Sequence, residues 1–431
     1  MLRILGLAFG IAVSLGGSIG SGIMRTPSQI AARLPSPSLI MFAWFLGMAY
    51  SLLGAWSLAE VGAMIPSSGA YYAIARRAYG DYLGFVVGWS DWLSNCSAVA
   101  AAAILIGEYS RDLWPRLAHP VFIASAATVL IALLQWRGVR WGSRFQNITS
   151  AATALVFLVL VLGAFVAPSH TAASPSATPL PSGVPLVFAF ILTLQAVIYT
   201  YDGWYTSIYF GDELINPGRE MPRAMFHGVF LLSAIYLAVN AALLHVLGTG
   251  GIAKNNLPVA ALGAAILGLA GELAVKALMI LALVALVNSV VLAATRVLFA
   301  MSCDGWGTSA LMRVNPGGTP SVALLVSAAT TMAFLLTGSF NRVIAITAFI
   351  FVAKYGMSYL AVFVLRRREP DTPRPYRSWG YPWTSGLAVA ASVAFLAGAF
   401  ASDLRNSLYG VALLVVSYPI YRMMKRSAQQ T

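Results

Sequence analysis

Gly16-Gly17-Ser18-Ile19-Gly20-Ser21-Gly22-Ile23 stands in the middle of the first apolar stretch of the chain, residues 4–28. Glycine and serine are weak helix formers, and four glycines with two serines across residues 16–22 make this the place where a helix gives way. Inside a bilayer, backbone groups freed by an unwound turn cannot face lipid, so the turn has to line a protected cavity. The same spacing also permits a close helix crossing of the small-xxx-small type, and from this stretch alone both readings stand. The sixth apolar stretch, 184–210, favours the first. It carries Tyr199-Thr200-Tyr201-Asp202-Gly203-Trp204, with a carboxylate and a glycine at mid-span, where each is costly. Asp202 also suits the N-cap of a restarting half-helix, and that reading too requires a break. Two interrupted helices five spans apart predict an inverted repeat of five plus five helices around a midplane site.

The rest of the chain supplies the solvent for this reading. Of 431 residues, 59% are hydrophobic and 10% charged, against roughly 25% charged in an average soluble domain. Stretches near 20 residues, long enough to cross about 30 Å of hydrocarbon, recur from end to end. Twelve are expected: 4–28, 38–65, 81–110, 120–136, 143–167, 184–210, 224–248, 272–300, 320–338, 341–365, 380–400 and 405–424. The first lacks a small-residue cleavage site and is read as a retained span, not a signal peptide. The net charge of +13 maps onto the loops: 17 Lys and Arg fall on the side of the N-terminus and 7 on the other. That asymmetry places both termini in the cytoplasm of a plasma (inner) membrane protein.

The organisation follows: a first repeat over 1–167, an external loop over 168–183 rich in Pro, Ser, Thr and Ala, a second repeat over 184–366, and two further spans with the C-terminus over 367–431. No soluble domain remains once the spans are removed, so function is expected within the membrane. Cys96 and Cys303, the only cysteines, lie in or beside apolar segments and suggest neither disulfides nor a metal cluster. The four histidines are scattered with no nucleophile or metal partner at useful spacing, so no enzyme and no cofactor is expected. Glu60 reads as an architectural or gating contact and Arg296 as one half of an ion pair near the inner mouth.

The chain also resembles a known family. Gly17 to Ile23 looks like the first-helix signature of the amino acid–polyamine–organocation superfamily of transporters, and Tyr201-Asp202-Gly203-Trp204 like its sixth-helix break. Three further matches are Glu60-Val61-Gly62-Ala63-Met64-Ile65-Pro66 with Gly69-Ala70-Tyr71-Tyr72, Ala294 to Ala300 with Asp304-Gly305, and Pro373-Arg374-Pro375-Tyr376-Arg377 with Gly380-Tyr381-Pro382. Glu213-Leu214-Ile215-Asn216-Pro217, and Tyr236 with Asn240, are similar to the L-type amino acid transporter branch. The resemblance covers essentially the whole chain. It implies a leucine-transporter-like fold and exchange or facilitated movement of neutral amino acids by alternating access. Animal members of that branch pair with a heavy chain through a cysteine between helices 3 and 4; residues 111–120 hold none, so no disulfide-linked partner is expected.

The chemistry of the breaks suits the head of an α-amino acid. The amides of Ser21, Gly22 and Ile23 open a half-helix whose positive end suits a carboxylate, with Gly17 beside them and glycine at 22 allowing close approach. Carbonyls freed at Ser18, Ile19, Tyr199, Thr200 and Asp202 can accept from the ammonium. Tyr199 stands where the family places an aromatic gate, or else it packs. Gly203, Tyr236, Asn95, Cys96 and Ser97 are the remaining pocket candidates, the polar ones of which can equally bond between helices. A small or medium neutral side chain is favoured.

Many relatives carry a lysine in helix 5 in place of a sodium ion; alignment puts Thr153 there. Thr153, Asn288 and Ser289 could hold a cation with a few oxygens, leaving sodium coupling open. Lys354, roughly 18 Å of helix from Arg366, is too deep to snorkel. It is read either as a lysine paired inside the bundle or as a fixed charge that replaces a coupling ion. The expected function is a secondary transporter, exchanger or facilitator; the alternatives are a transporter-like amino-acid sensor and a cation-coupled symporter.

Overall fold

The computed structural model describes residues 2–114, 116, 119–167, 182–336, 340–402 and 404–428. Among them the chain is helical throughout: α1 (Leu7–Ser18), α2 (Ser21–Arg33), α3 (Pro37–Met64), α4 (Tyr71–Tyr79), α5 (Asp81–Leu113), α6 (Pro120–Trp136), α7 (Val139–Val166), α8 (Val184–Thr200), α9 (Pro217–Lys254), α10 (Pro258–Cys303), α11 (Ser321–Leu336), α12 (Phe340–Arg368), α13 (Trp383–Ser402) and α14 (Leu404–Ala428). Most of the expected external loop, residues 168–181, lies outside the described residues.

Apart from the two breaks, at residues 19–20 and 201–205, the apolar stretches read from the sequence coincide with helix among the described residues, and the other differences lie at the ends. Pro37, Pro120, Pro217 and Pro258 sit in the first turn, where a missing N–H costs nothing, and start α3, α6, α9 and α10. The last two therefore begin before their apolar stretches, at 217 and 258 instead of 224 and 272. Gly248 in α9 (φ 63°) and Gly268 in α10 (φ 62°) interrupt the helical backbone, so residues 249–271, read as a loop, are helical pieces around two glycine kinks. The loop between the second and third spans likewise contains α4, closed by Gly80 at φ 91° before Asp81 opens α5.

The bundle is built inside out relative to a water-soluble protein. Leu155, Leu158, Val159 and Leu162 on α7, and Phe122, Leu130 and Leu133 on α6, face outward, while Ser, Thr, Asn and Gln side chains lie within. An apolar belt of that extent is the signature of a lipid solvent. Among the described residues, five helices (α3, α5, α7, α9 and α10) are long and apolar enough to cross a membrane, and α1 with α2, bent by 46° at their break, is long and apolar enough as a pair. The helices α6, α8 and α11 are apolar but shorter. At the centre stands α5, 89% buried over its apolar window and packed by α4, α6, α10, α11, α12 and α14.

Ion pairs tie the arginine-rich end of the bundle. Glu60 accepts two hydrogen bonds from Arg366 (2.8 and 2.6 Å) and one from the Ser378 amide (2.7 Å), with Arg374 at 3.2 Å. Arg296 is bound bidentately by Glu213 at 2.9 and 3.0 Å, both fully buried, and lies over the Phe210 ring. Arg77 donates to Glu369 and holds that carboxyl below the usual carboxylate range. At the opposite end Arg25 makes a looser contact with Glu108, at 3.8 Å.

Candidate functional site

Helix α1 stops at Ser18 because Ile19 turns extended (φ −76°, ψ 102°), its N–H still bonded to Leu15, and Gly20 continues at φ −144°, ψ −147° before α2 starts. No side chain caps α2, which leaves the amides at Ser21, Gly22 and Ile23 pointing out of the helix end. The second interruption is of another kind. After Thr200 the chain makes a turn through Gly203 (φ 107°) and restarts only as a short 3-10 segment, Thr206–Phe210. Asp202 does not cap it: the residue before the segment is Tyr205, with no side-chain cap, and the Asp202 carboxylate instead accepts from the hydroxyls of Tyr355 and Tyr205. The N-cap reading of Asp202 is therefore wrong.

The two breaks touch. A methyl on Gly203 would meet the Gly17 carbonyl oxygen at 2.3 Å, and one on Gly17 would meet Thr206 Oγ1 at 2.7 Å. A methyl on Gly22 would meet Thr200 at 2.8 Å, so this glycine serves the packing of the two segments as well as the cavity it borders. Behind the junction the buried Tyr236 hydroxyl lies 3.0 Å from both the Ser18 and Thr200 carbonyl oxygens and bolts one break to the other. Tyr236 does not line the cavity, contrary to its reading as a pocket residue.

Between the breaks lies a cavity of about 90 Å³, several times the ~10–15 Å³ that a single water requires. Of the expected site residues, Gly17, Ser18, Ser21, Gly22, Asn95, Tyr199, Thr200, Asp202 and Gly203 border it. Ile19 and Ile23 are buried off its wall, so only their backbones are available to it. Among the described residues the carbonyls of Ile19 and Asp202 accept no hydrogen bond, whereas Tyr199 accepts from the Asp202 amide. Cys96 and Ser97 point elsewhere: Cys96 packs toward Thr331, which donates to its carbonyl, and Ser97 donates to the Ser94 carbonyl. The face of α5 that does border the cavity is Asn95, Ala98, Ala101, Ala102 and Leu105, a helical stripe that the sequence presents but that was not read from it. Leu283, Leu286, Val290 and Ala293 of α10 complete an apolar wall.

The coupling candidates do not converge. Ser289 donates to the Val13 carbonyl at 2.9 Å; Asn288 is engaged by Gln135 and Gln146; Thr153 borders a small void between α1, α7 and α10. Lys354, in contrast, stands just outside the cavity, over the ring of Tyr205 on its wall. Its Nζ is 2.6 Å from Asp91 Oδ1, and the rings of Tyr71, Tyr205 and Tyr355 surround it at 4.9, 5.4 and 5.5 Å. Tyr209 donates to Asp91 at 2.9 Å and Asn95 at 3.2 Å, so this buried pair is linked both to the cavity wall and, through Tyr205 and Tyr355, to Asp202. Asp91 and Lys354 stand 263 residues apart, and no spacing in the sequence pairs them.

Comparison with known proteins gives a consistent set of relatives. The family model described as amino acid permease matches residues 5–418. The chain is 28% identical to the serine/threonine exchanger SteT of Bacillus subtilis (strain 168), across 98% of this chain and 97% of that one. It is 28% identical to the Asc-type amino acid transporter 1 of Mus musculus, across 86% and 72%. With the large neutral amino acids transporter small subunit 2 of Homo sapiens it shares 26%, across 86% and 71%.

Proposed function

Because the chain belongs to the amino acid permease family, we propose that it is a secondary transporter that exchanges or facilitates small-to-medium neutral L-amino acids by alternating access. The observation that carries this reading is the junction of two interrupted helices around one cavity, with amides on one side and carbonyls on the other. In this reading the substrate carboxylate meets the uncapped start of α2, at Ser21, Gly22 and Ile23 beside Gly17. The ammonium meets the carbonyls of Ile19 and Asp202 first, which have no other partner among the described residues, and then those of Ser18, Tyr199 and Thr200. The side chain lies against the alanine stripe of α5 and the aliphatic wall of α10, which offer no charge. Tyr199, which borders the cavity, is the residue that closes over it in this reading.

The rest of the architecture belongs to the same proposal: twelve spans, with 1–167 and 184–366 as inverted repeats, both termini in the cytoplasm, and no disulfide-linked heavy chain, since residues 111–120 contain no cysteine. The ion pairs of Glu60, Arg296 and Glu369 then close the cytoplasmic mouth, and the looser Arg25–Glu108 contact lies on the outer side.

Counterflow in proteoliposomes tests the function. Labelled L-serine should enter vesicles preloaded with unlabelled L-serine several-fold faster than empty ones, and N-acetylserine and serine methyl ester, each lacking one charge of the head, should compete poorly. Tyr199→Ala should lower the maximal rate more than the apparent affinity, with Tyr199→Phe mild. A folded protein that moves no amino acid of a neutral panel, in exchange or downhill, would refute the reading.

A further inference from the structure

On and just behind the cavity wall stand two carboxylates and one ammonium, and they are not equivalent. Asp91 is matched in full, by Lys354 Nζ at 2.6 Å, the Tyr209 hydroxyl at 2.9 Å and the Asn95 amide. Asp202 stands on the cavity wall with hydroxyls of Tyr355 and Tyr205 donating to it, and among the described residues no cation lies within ion-pair distance of it. The titratable groups that face it from other elements are Tyr50 on α3, Asp91 on α5 and Tyr236 on α9, together with Lys354, Tyr355 and Tyr359 on α12, while Tyr71 on α4 packs behind Tyr205 and Tyr355. Tyr199 and Tyr205 face it from its own segment. Of all these only Lys354 brings a positive charge, and it is committed to Asp91.

Fully ionised, the set therefore carries one net negative charge inside a wall of rings and aliphatic side chains, a state that is costly in a bundle solvated by lipid. A neutral amino acid does not remove it, because a zwitterion brings one charge of each sign. A monovalent cation does. The Asp202 carboxylate is held on both oxygens by O–H donors, the hydroxyls of Tyr355 and Tyr205, an arrangement that suits a proton on the carboxyl better than a metal ion, which needs several oxygens turned toward it, and the adjoining position is already filled by the lysine ammonium.

We infer that this cation is a proton carried by Asp202, so that amino-acid movement is coupled to proton movement, with Asp91–Lys354 as the fixed counter-charge that sets the count at one. The Asp202 carboxylate takes up the proton from the side to which the cavity opens, becoming the neutral acid, and returns it on the other side; no other bond forms or breaks. The inference rests on the transport reading and deepens it.

The test uses the purified full chain in liposomes with a trapped pH dye, the membrane potential clamped at zero, and labelled L-serine as probe. Serine entry is accompanied by proton entry, and an outer medium one pH unit more acid drives accumulation approaching about tenfold for one proton per serine. In Asp91→Asn, Lys354 is released to neutralise Asp202 and the pH-driven accumulation is lost; adding Lys354→Gln restores one uncompensated carboxylate and with it the drive. This paired readout separates coupling from folding, since a merely structural pair would not be rescued by losing its second member. Serine entry without proton movement, equal with and without the pH gradient, or accumulation driven only by a sodium gradient, overturns the inference and leaves exchange standing. If no amino acid moves under any gradient or by exchange, the transport reading falls and this inference with it.

Discussion

Gly203→Ala should reach the membrane in normal amount and elute as a monodisperse protein, yet exchange amino acids at under about a tenth of the native rate. The added methyl is refused twice. At φ 107° any side chain strains the backbone, by roughly 1–2 kcal/mol in a left-handed conformation, where 1.4 kcal/mol is already tenfold. The methyl would also stand 2.3 Å from the Gly17 carbonyl oxygen and 2.8 Å from the Ser18 amide nitrogen, backbone atoms that cannot rotate away. Relief comes only by prising the second break from the first, which displaces the amides and carbonyls proposed to hold the substrate. Gly142→Ala is the control: its methyl meets nothing nearer than 3.5 Å and should be mild. Native exchange by Gly203→Ala would show that contact between the breaks is dispensable.

Arg296→Met should be the most damaging single change to stability. Arg296 and Glu213 are both 0% exposed, and the arginine also donates to the Leu292 carbonyl at 2.9 Å. Removing one partner strands a charge in the interior, a loss of roughly 3–5 kcal/mol. The pair also ties α10 to the segment after the second break, and Leu5 bonds to the backbone of that segment through Glu213 and Ile215 at 3.0 Å each. A thermal melt of the detergent-solubilised protein should fall sharply in Arg296→Met and recover much of the loss in Arg296→Met with Glu213→Leu, where no charge is stranded. A single variant as stable as the native protein would contradict this.

What the sequence could and could not convey follows from which forces leave a local mark. The breaks were legible because glycine and aspartate at mid-span conflict with a helix in lipid, and the spans because hydropathy is additive along a segment. The cavity-lining face of α5 was not, because that helix is buried almost all round and so carries no polar stripe to fix its phase. Cys96 and Ser97 looked like pocket residues only by sitting next to Asn95, while Ala98, Ala101, Ala102 and Leu105 continue its face. The hydroxyl of Tyr236 and the pairing of Lys354 with Asp91 are contacts between distant segments that no local pattern encodes. Helix α4 and the kinks at Gly248 and Gly268 were missed because their glycines end or bend helices in loops too short to show a period of their own.

The central claim is that the amino acid binds in the cavity between the two breaks, and thiol protection tests it most directly. With Cys303 replaced by serine, the remaining native thiol, Cys96, is fully buried away from the cavity, and Ala98→Cys places a new one on the cavity wall. A small cationic thiol reagent should label Ala98→Cys, and a saturating concentration of the amino acid that exchanges fastest should slow that labelling several-fold, with N-acetylserine giving no protection. Labelling at the same rate with and without that amino acid, in a variant that still exchanges it, would contradict the account.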